Sequence, residues 1–459
     1  MKFIETLKNI WRIESLRTKI LITTLFILIY RFGSFIVLPG INPESLTALQ
    51  NQTSGGLMSL LDMFSGGAFS NASIFALGIM PYISASIVIQ LLTIAIPYFQ
   101  KMQREGESGR RKMNQLTRYL TVFILLLQGP AYLVNLSVQL RSVGAALPEG
   151  IWFTVSSTIL LCAGSMFVMW LGERMTDKGI GNGISMIIMI GIIARFPSAI
   201  IQEFISRTED ASGGLVMFLA EITLLLVVIG ATIALVQATR KIPVQYAKRI
   251  VGNKQYGGVR QYIPLKVNAA GVMPIIFAQA IMMIPIMLMG FNSEGANAFM
   301  RAFADNNGFW YNLVFAIMII AFTYFYTAIT INPTQMAEQM KLNNGFIPGI
   351  KPGKKTAEYI DVIMSRITLP GSFFLALVAI MPSLASIAGV TNGFAQFYGG
   401  TSLLILVGVV LDTLQQIESE LLMRHYDGLM ESGHRIKGRT GSMQLIDKRW
   451  RFILKQMKK

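Results

Sequence analysis

The chain has 459 residues, 53% hydrophobic and 14% charged, against about 25% charged in soluble domains. That balance excludes an ordinary soluble fold, which would need far more polar surface. The formal net charge of +16 would point to nucleic acid in a soluble protein; here its placement along the chain explains most of it.

In chain order, Phe3, Ile4, Leu7, Ile10 and Trp11 share one helical face beside Lys2, Lys8 and Arg12, which reads as a cytoplasmic amphipathic segment over 1–18 lying on a membrane surface. The first apolar run is broken by Arg31 and has no small-residue cleavage site, so a cleaved signal is not expected. Ten apolar stretches follow, at 19–38, 73–97, 119–138, 153–172, 183–202, 215–237, 269–291, 309–331, 368–388 and 399–420. Each has the roughly 20 residues that a helix needs to cross about 30 Å of hydrocarbon, and helices satisfy their own backbone there.

With Lys19 counted in the first segment, 35 of the 40 Lys and Arg fall in the terminal segments and every second loop. The opposite loops hold Arg141, Arg207 and Arg301, and Arg31 and Arg195 lie inside spans. Cytoplasmic loops retain Lys and Arg, so the bias predicts a multi-pass protein with both termini in the cytoplasm. Cys162 is the sole cysteine and excludes an internal disulfide.

Carboxylates are scarce within the spans: Glu221 near one end of the sixth, and Asp412, Glu418 and Glu420 in the tenth. The two histidines, His425 and His434, are in the tail. Coupled transporters bind their ion at mid-membrane through ionisable groups or broken helices, so this reading loses ground. No zinc-protease motif and no phosphate loop is present, since Gly349–Thr356 has the wrong glycine spacing. Neither an enzyme nor a cofactor is expected.

Before the second span, Leu57-Met58-Ser59-Leu60-Leu61-Asp62-Met63-Phe64-Ser65-Gly66-Gly67-Ala68-Phe69-Ser70 is too short to cross, and its glycine pair permits unusual backbone angles. Alone it reads as a re-entrant loop. The span itself brings Pro81, Ser84, Ser86 and Gln90 into the membrane, as helices facing protein or water do.

These stretches, with Gly179-Ile180-Gly181-Asn182-Gly183-Ile184-Ser185, the run Pro264 to Pro274, and Gly399-Gly400-Thr401-Ser402-Leu403-Leu404-Ile405, resemble the SecY family of protein-conducting channels over nearly the whole chain. Bacterial members usually carry arginine where this chain has Lys351. The resemblance implies an all-α polytopic fold in two inverted halves, 19–202 and 215–420, joined by an external hinge loop at 203–214 and followed by a basic cytoplasmic tail at 421–459. Internal prolines in the second and seventh spans (Pro81; Pro274 and Pro285) and glycine-rich starts to the fifth and tenth are consistent with such a repeat.

The implied function is a passive channel for unfolded secretory polypeptides, releasing membrane helices sideways into a bacterial plasma membrane. The implied pore ring is Ile79, Ile83, Ile184, Ile188, Ile276 and Ile405. A narrow apolar collar excludes ions by dewetting, and it gives a passing chain no specific partner. Taken singly, each of these isoleucines is ordinary packing. The implied plug lies near 57–70, with Leu57, Met63, Phe64, Gly66, Gly67 and Phe69. The implied lateral gate holds Ser84, Gln90, Gln128, Asn268 and Ile284, although each polar member could serve as an ordinary interhelical hydrogen bond.

Residues 238–268 contain seven Lys or Arg and no Asp or Glu. A connection between two helices can be far shorter, so the length predicts a docking hairpin. The resemblance implies that this loop and 332–367 meet the ribosome or the ATPase SecA through Lys248, Arg249, Lys254, Arg260, Lys351 and Lys354. Ribosomal RNA phosphates would attract such a loop in a salt-dependent way, as would anionic lipids. SecE, SecG, signal sequences and nascent chains complete the implied partners.

Overall fold

The structure, a computed structural model, describes residues 11, 13–43, 46, 62, 65–142, 147–148, 150–209, 214–246, 249–251, 254–256, 260–279, 281–282 and 308–431. At 94, 104, 142, 249–251, 254–256, 260 and 422–431 it describes the backbone alone. The amphipathic face at Phe3–Ile10, and Leu57, Met63, Phe64, Lys248 and Ile284, lie outside the described residues.

The chain divides into two compact units, 18–413 and a second made of 1–17 with 414–459. The helices are α1 (Glu14–Gly33), α2 (Met80–Ala95), α3 (Pro97–Arg104), α4 (Glu107–Ser142), α5 (Ile151–Lys178), α6 (Gly183–Glu209) and α7 (Gly214–Gln237). Four strands follow: β1 (Thr239–Tyr246), β2 (Arg249–Val251), β3 (Lys254–Tyr256) and β4 (Arg260–Lys266). A short helix at 273–279 precedes α8 (Phe309–Thr330), α9 (Pro333–Leu342), β5 (Gly345–Phe346), α10 (Lys354–Ile387), α11 (Asn392–Ala395) and α12 (Gly400–Glu431).

Among the described residues, seven helices are long and apolar enough to cross a membrane, and the bent pair α2–α3 makes eight. Of the ten expected spans, the first is α1, which carries Arg17, Lys19 and Arg31 within 20 residues. The seventh, expected at 269–291, is described at 269–279 and 281–282.

Three boundaries differ from the sequence expectation, each for a local reason. The second span is not helical from 73: residues 74–79 are turn, and the helix starts at Met80. It stops again at Ile96, whose backbone is extended before Pro97, and the chain bends by 102°. Proline has no N–H to continue the ladder and disfavours helix in the residue before it. The expected loop at 203–214 begins later, because α6 continues to Glu209. There Glu203 and Arg207, expected outside the membrane helices, are buried in an ion pair at 3.0 Å.

The loops 238–268 and 332–367 are structured. Strands β1 and β4 form an antiparallel hairpin with Ile242 opposite Ile263, β2 and β3 pair within it, and β5 from the second loop adds to β1. Burial alternates along β1, with Ile242 and Val244 inward and Lys241 and Pro243 outward, the period-two pattern of a half-buried strand. The inward face packs with Leu265, Met340, Ile347, Ile360 and Met364 in a core of its own.

Three apolar clusters fill the helical part. One gathers Leu38, Tyr132, Leu136 and Leu161. A second joins α7, α8, α10 and α12 through Val228, Phe315, Leu375 and Leu404. The largest joins α5, α6, α12 and the turn before α2.

Candidate functional site

The start of α6 shows why its motif has that composition. Asn182 Oδ1 accepts the Ile184 N–H at 3.1 Å, an end-cap for the first turn. The Gly183 N–H reaches Thr176 Oγ1 at 2.9 Å, and Thr23 Oγ1 of α1 accepts the Ile180 N–H at 3.1 Å. A side chain at Gly183 would begin 2.1 Å from the Gly172 carbonyl oxygen, so α5 and α6 meet there only because the residue is glycine. This close contact sets the rotation of α6, which carries Ile184 and Ile188.

Five of the six expected ring isoleucines belong to one apolar cluster. Ile79, Ile188 and Ile405 are buried in the largest cluster, with Ile83 and Ile184 packed on it. Ile79 is at the cap of α2, and its carbonyl accepts the Ile83 N–H at 3.1 Å, so the two share the face that their i, i+4 spacing predicts. Ile276 is half-buried next to Ile275, which belongs to the second cluster. Val272, one turn earlier, packs on both clusters. Sequence reasoning passed it over, although its position four residues before Ile276 places it on the same helical face.

The segment entering α2 is compact. Gly66 and Gly67 take positive φ values of 66° and 93°. Ala68 is fully buried, and the Phe69 ring meets Tyr132 edge-on at 4.8 Å. Tyr132 Oη also donates to the Phe69 carbonyl at 2.8 Å, and Tyr30 Oη donates to that of Ser65 at 3.0 Å. Neither tyrosine was singled out from sequence.

Among the described residues, no hydrogen bond joins the expected gate residues to one another. Gln90 Nε2 reaches Ser86 in its own helix at 3.4 Å. Its Oε1 and Asn268 Oδ1 are both buried and have no partner among the described residues. Ser84 and Gln128 are half-buried, and α2 packs along α4.

Of the expected docking residues, Lys351 and Lys354 are exposed, and the Lys351 carbonyl is fixed by Thr356 Oγ1 at 2.9 Å. Arg249, Lys254 and Arg260 stand on β2, β3 and β4. Exposed Arg240, Lys241 and Lys266 add charge to the β1–β4 pair.

Among the described residues, seven helices of membrane-spanning length and the bent pair α2–α3, a compact turn segment before α2 and a basic sheet define a polytopic membrane protein. A family search matches SecY over residues 73–414. The protein translocase subunit SecY of Streptomyces galbus is 42% identical over 434 residues, covering 92% of this chain and 98% of that one. That of Aquifex aeolicus is 42% identical over 428 residues with the same coverage, and that of Mycobacterium tuberculosis is 39% identical over 447. Among solved structures, one described as a protein-conducting channel aligns with a TM-score of 0.60 at 18% identity, covering 88% of this chain and 92% of that one. The canine Sec61 ribosome–channel complex aligns at 0.57 and 16% identity, covering the same shares. The chain belongs to the SecY family.

Proposed function

We infer that this chain is the pore-forming subunit of a protein translocase, a channel that passes unfolded polypeptides and has no chemistry of its own. The observation that carries the reading is the apolar cluster that takes in Ile79, Ile188 and Ile405 from the cap of α2, α6 and α12, in a chain that matches translocase subunits over almost their whole length. Such a collar resists water and ions while holding no substrate.

Ile79, Ile83, Ile184, Ile188, Ile276 and Ile405 form the resting constriction, with Val272 beside it. The 57–70 segment is the plug; in a SecY structure similar to this one, a plug domain stabilises the closed state and maintains a membrane seal. Residues 19–202 and 215–420 act as two halves hinged near 203–214. They part between α2–α4 and the 273–279 helix with α8, at Ser84, Gln90, Gln128, Asn268 and Ile284. The charge bias supports a cytoplasmic position for both termini and for the basic sheet, at a bacterial plasma membrane. There Lys248, Arg249, Lys254, Arg260, Lys351 and Lys354 meet the ribosome or SecA, while SecE and SecG complete the channel. Signal sequences, nascent chains and anionic lipids are its remaining contacts.

The test is reconstitution in liposomes with a labelled preprotein, SecA and ATP. Protected, full-length preprotein inside the vesicles is expected, together with no saturable small-solute flux in the absence of those partners. Saturable solute flux without preprotein import would replace the channel with a transporter.

A further inference from the structure

Two cationic residues, Arg31 and Arg195, lie inside membrane helices, where an unpaired charge is expensive, and the collar uses neither. Both aim at the same target. Arg31 of α1 donates from Nη1 to the Gly66 carbonyl at 2.8 Å. Arg195 of α6 donates from Nη2 to Ser70 Oγ at 2.9 Å and forms an ion pair with Asp62. The Asp62 carboxylate also accepts the Ser70 N–H at 2.8 Å through Oδ1, and its carbonyl accepts the Gly67 N–H at 2.9 Å. Asp62 is thus the staple of its own turn and the anchor of that turn to α6.

The glycine pair gains a second explanation from this geometry. A Cβ at Gly66 would fall 2.9 Å from Arg31 Nη1 and 2.8 Å from the Gly191 Cα, and one at Gly67 would fall 3.6 Å from Arg195. Gly66 lets the backbone lie directly against the Arg31 guanidinium, whereas at Gly67 a side chain would make only ordinary contact with Arg195 and it is the positive φ of 93° that favours glycine. The Asp62 side chain is 10% exposed and that of Arg195 36%, so the pair is partly shielded yet reachable by water. Beside it, a cavity of about 70 Å³ is lined by Arg195, Gln202 and Gln396 among others, which gives the guanidinium a polar place to turn when Asp62 leaves.

We propose that Asp62 and Arg195, supported by Arg31, form a charged clamp that holds the 65–70 turn in the resting channel and sets the threshold for its release. The proposal rests on the reading of this segment as the plug. A charged pair is suited to a releasable hold, since it is strong while partly dry and weakens as an arriving chain brings water in.

The test uses the assembled translocase in planar bilayers, with import of a preprotein bearing a defective signal sequence as a second readout. Asp62→Asn keeps the shape and the acceptor for Ser70 while removing the charge. Arg195→Gln removes the other partner. Each should raise resting ion conductance roughly tenfold, the scale of losing one charge-assisted hydrogen bond, and should admit the defective preprotein. The double variant should leak no more than either single, because both break the same pair. Deletion of 57–70 separates the two claims. If the deletion leaks and correctly folded Asp62→Asn and Arg195→Gln channels do not, the clamp is overturned and the plug stands. If the deletion leaves conductance unchanged, the plug reading fails first. Additive leaks in the double variant would show that the two residues act apart and would also overturn the clamp.

Discussion

At the scale of single residues, the proposed isoleucine collar would work through what its side chains lack. Ile79, Ile188 and Ile405 are buried in one apolar cluster and their side chains offer neither charge nor hydrogen bond, so in the proposed constriction closure would depend on excluding water. Replacing Ile83, Ile188 and Ile405 together by serine should therefore raise resting conductance while leaving the helices in place. Single-channel recording on folded, purified channels checks this, and unchanged conductance would remove these residues from the barrier. Leucine at the same positions should preserve the seal, because it conserves volume and apolarity. The collar was legible only in part. Isoleucine is common in any membrane helix, so family likeness rather than spacing nominated these positions, and Val272 escaped because valine there looks like ordinary packing.

At the scale of elements, chain order reveals helices well and partners across long separations poorly. The cores of α4 to α8, α10 and α12 follow from their apolar runs. The break at Ile96–Pro97 was also written in the sequence, yet an uninterrupted apolar run masks a proline unless its missing N–H is counted. The pairing of Gln245 with Phe346 could not be read at all, since a two-residue strand has no periodicity. That pairing matters because it builds β5 from the 332–367 loop onto the β1–β4 hairpin, so one platform presents the charge of both loops. The hairpin stands on its own small core, which predicts that surface charge can be changed without unfolding it. Reversing Lys248 and Arg249 to glutamate should weaken ribosome and SecA binding more than alanine does, since reversal inverts the attraction that alanine only removes. Membrane insertion and resting conductance should stay normal. Binding measured across a salt series decides the matter, and equal affinity for wild type and double reversal would leave these charges as a topology signal alone.

At the scale of the whole molecule, the junction between the first five spans and the last five is held by a buried charge network that hydropathy could not reveal. Arg207 donates from Nε to Glu203 at 3.0 Å, and from Nη2 to Glu221 at 2.5 Å and to the Gly389 carbonyl at 2.7 Å. Glu203 also accepts the Thr391 N–H at 2.9 Å and the Thr391 hydroxyl. Fully buried Tyr398 donates to the Glu221 carbonyl at 2.7 Å, and burial raises its phenol above the ordinary range, so the proton for that bond stays in place. One guanidinium thereby ties α6, α7 and the turn after α10 together. Removing one member of a buried ion pair strands the other, at about 3 to 5 kcal/mol, so Arg207→Met should lower the thermal unfolding midpoint sharply. The two carboxylates are not equivalent. Both Glu203 oxygens are bonded, whereas Glu221 Oε2 is buried without a partner among the described residues. Glu203→Gln should therefore approach the loss seen for Arg207→Met, because an amide cannot accept from both Arg207 and the two Thr391 donors, and Glu221→Gln should be nearly silent, because its amide oxygen still accepts from Arg207 while Glu203 keeps the counter-charge. Unfolding of the purified variants in detergent reads the difference directly. Equal losses for the two glutamine variants would mean that Arg207 divides its charge evenly, and that the span junction is held by the triad rather than by the Glu203–Arg207 pair.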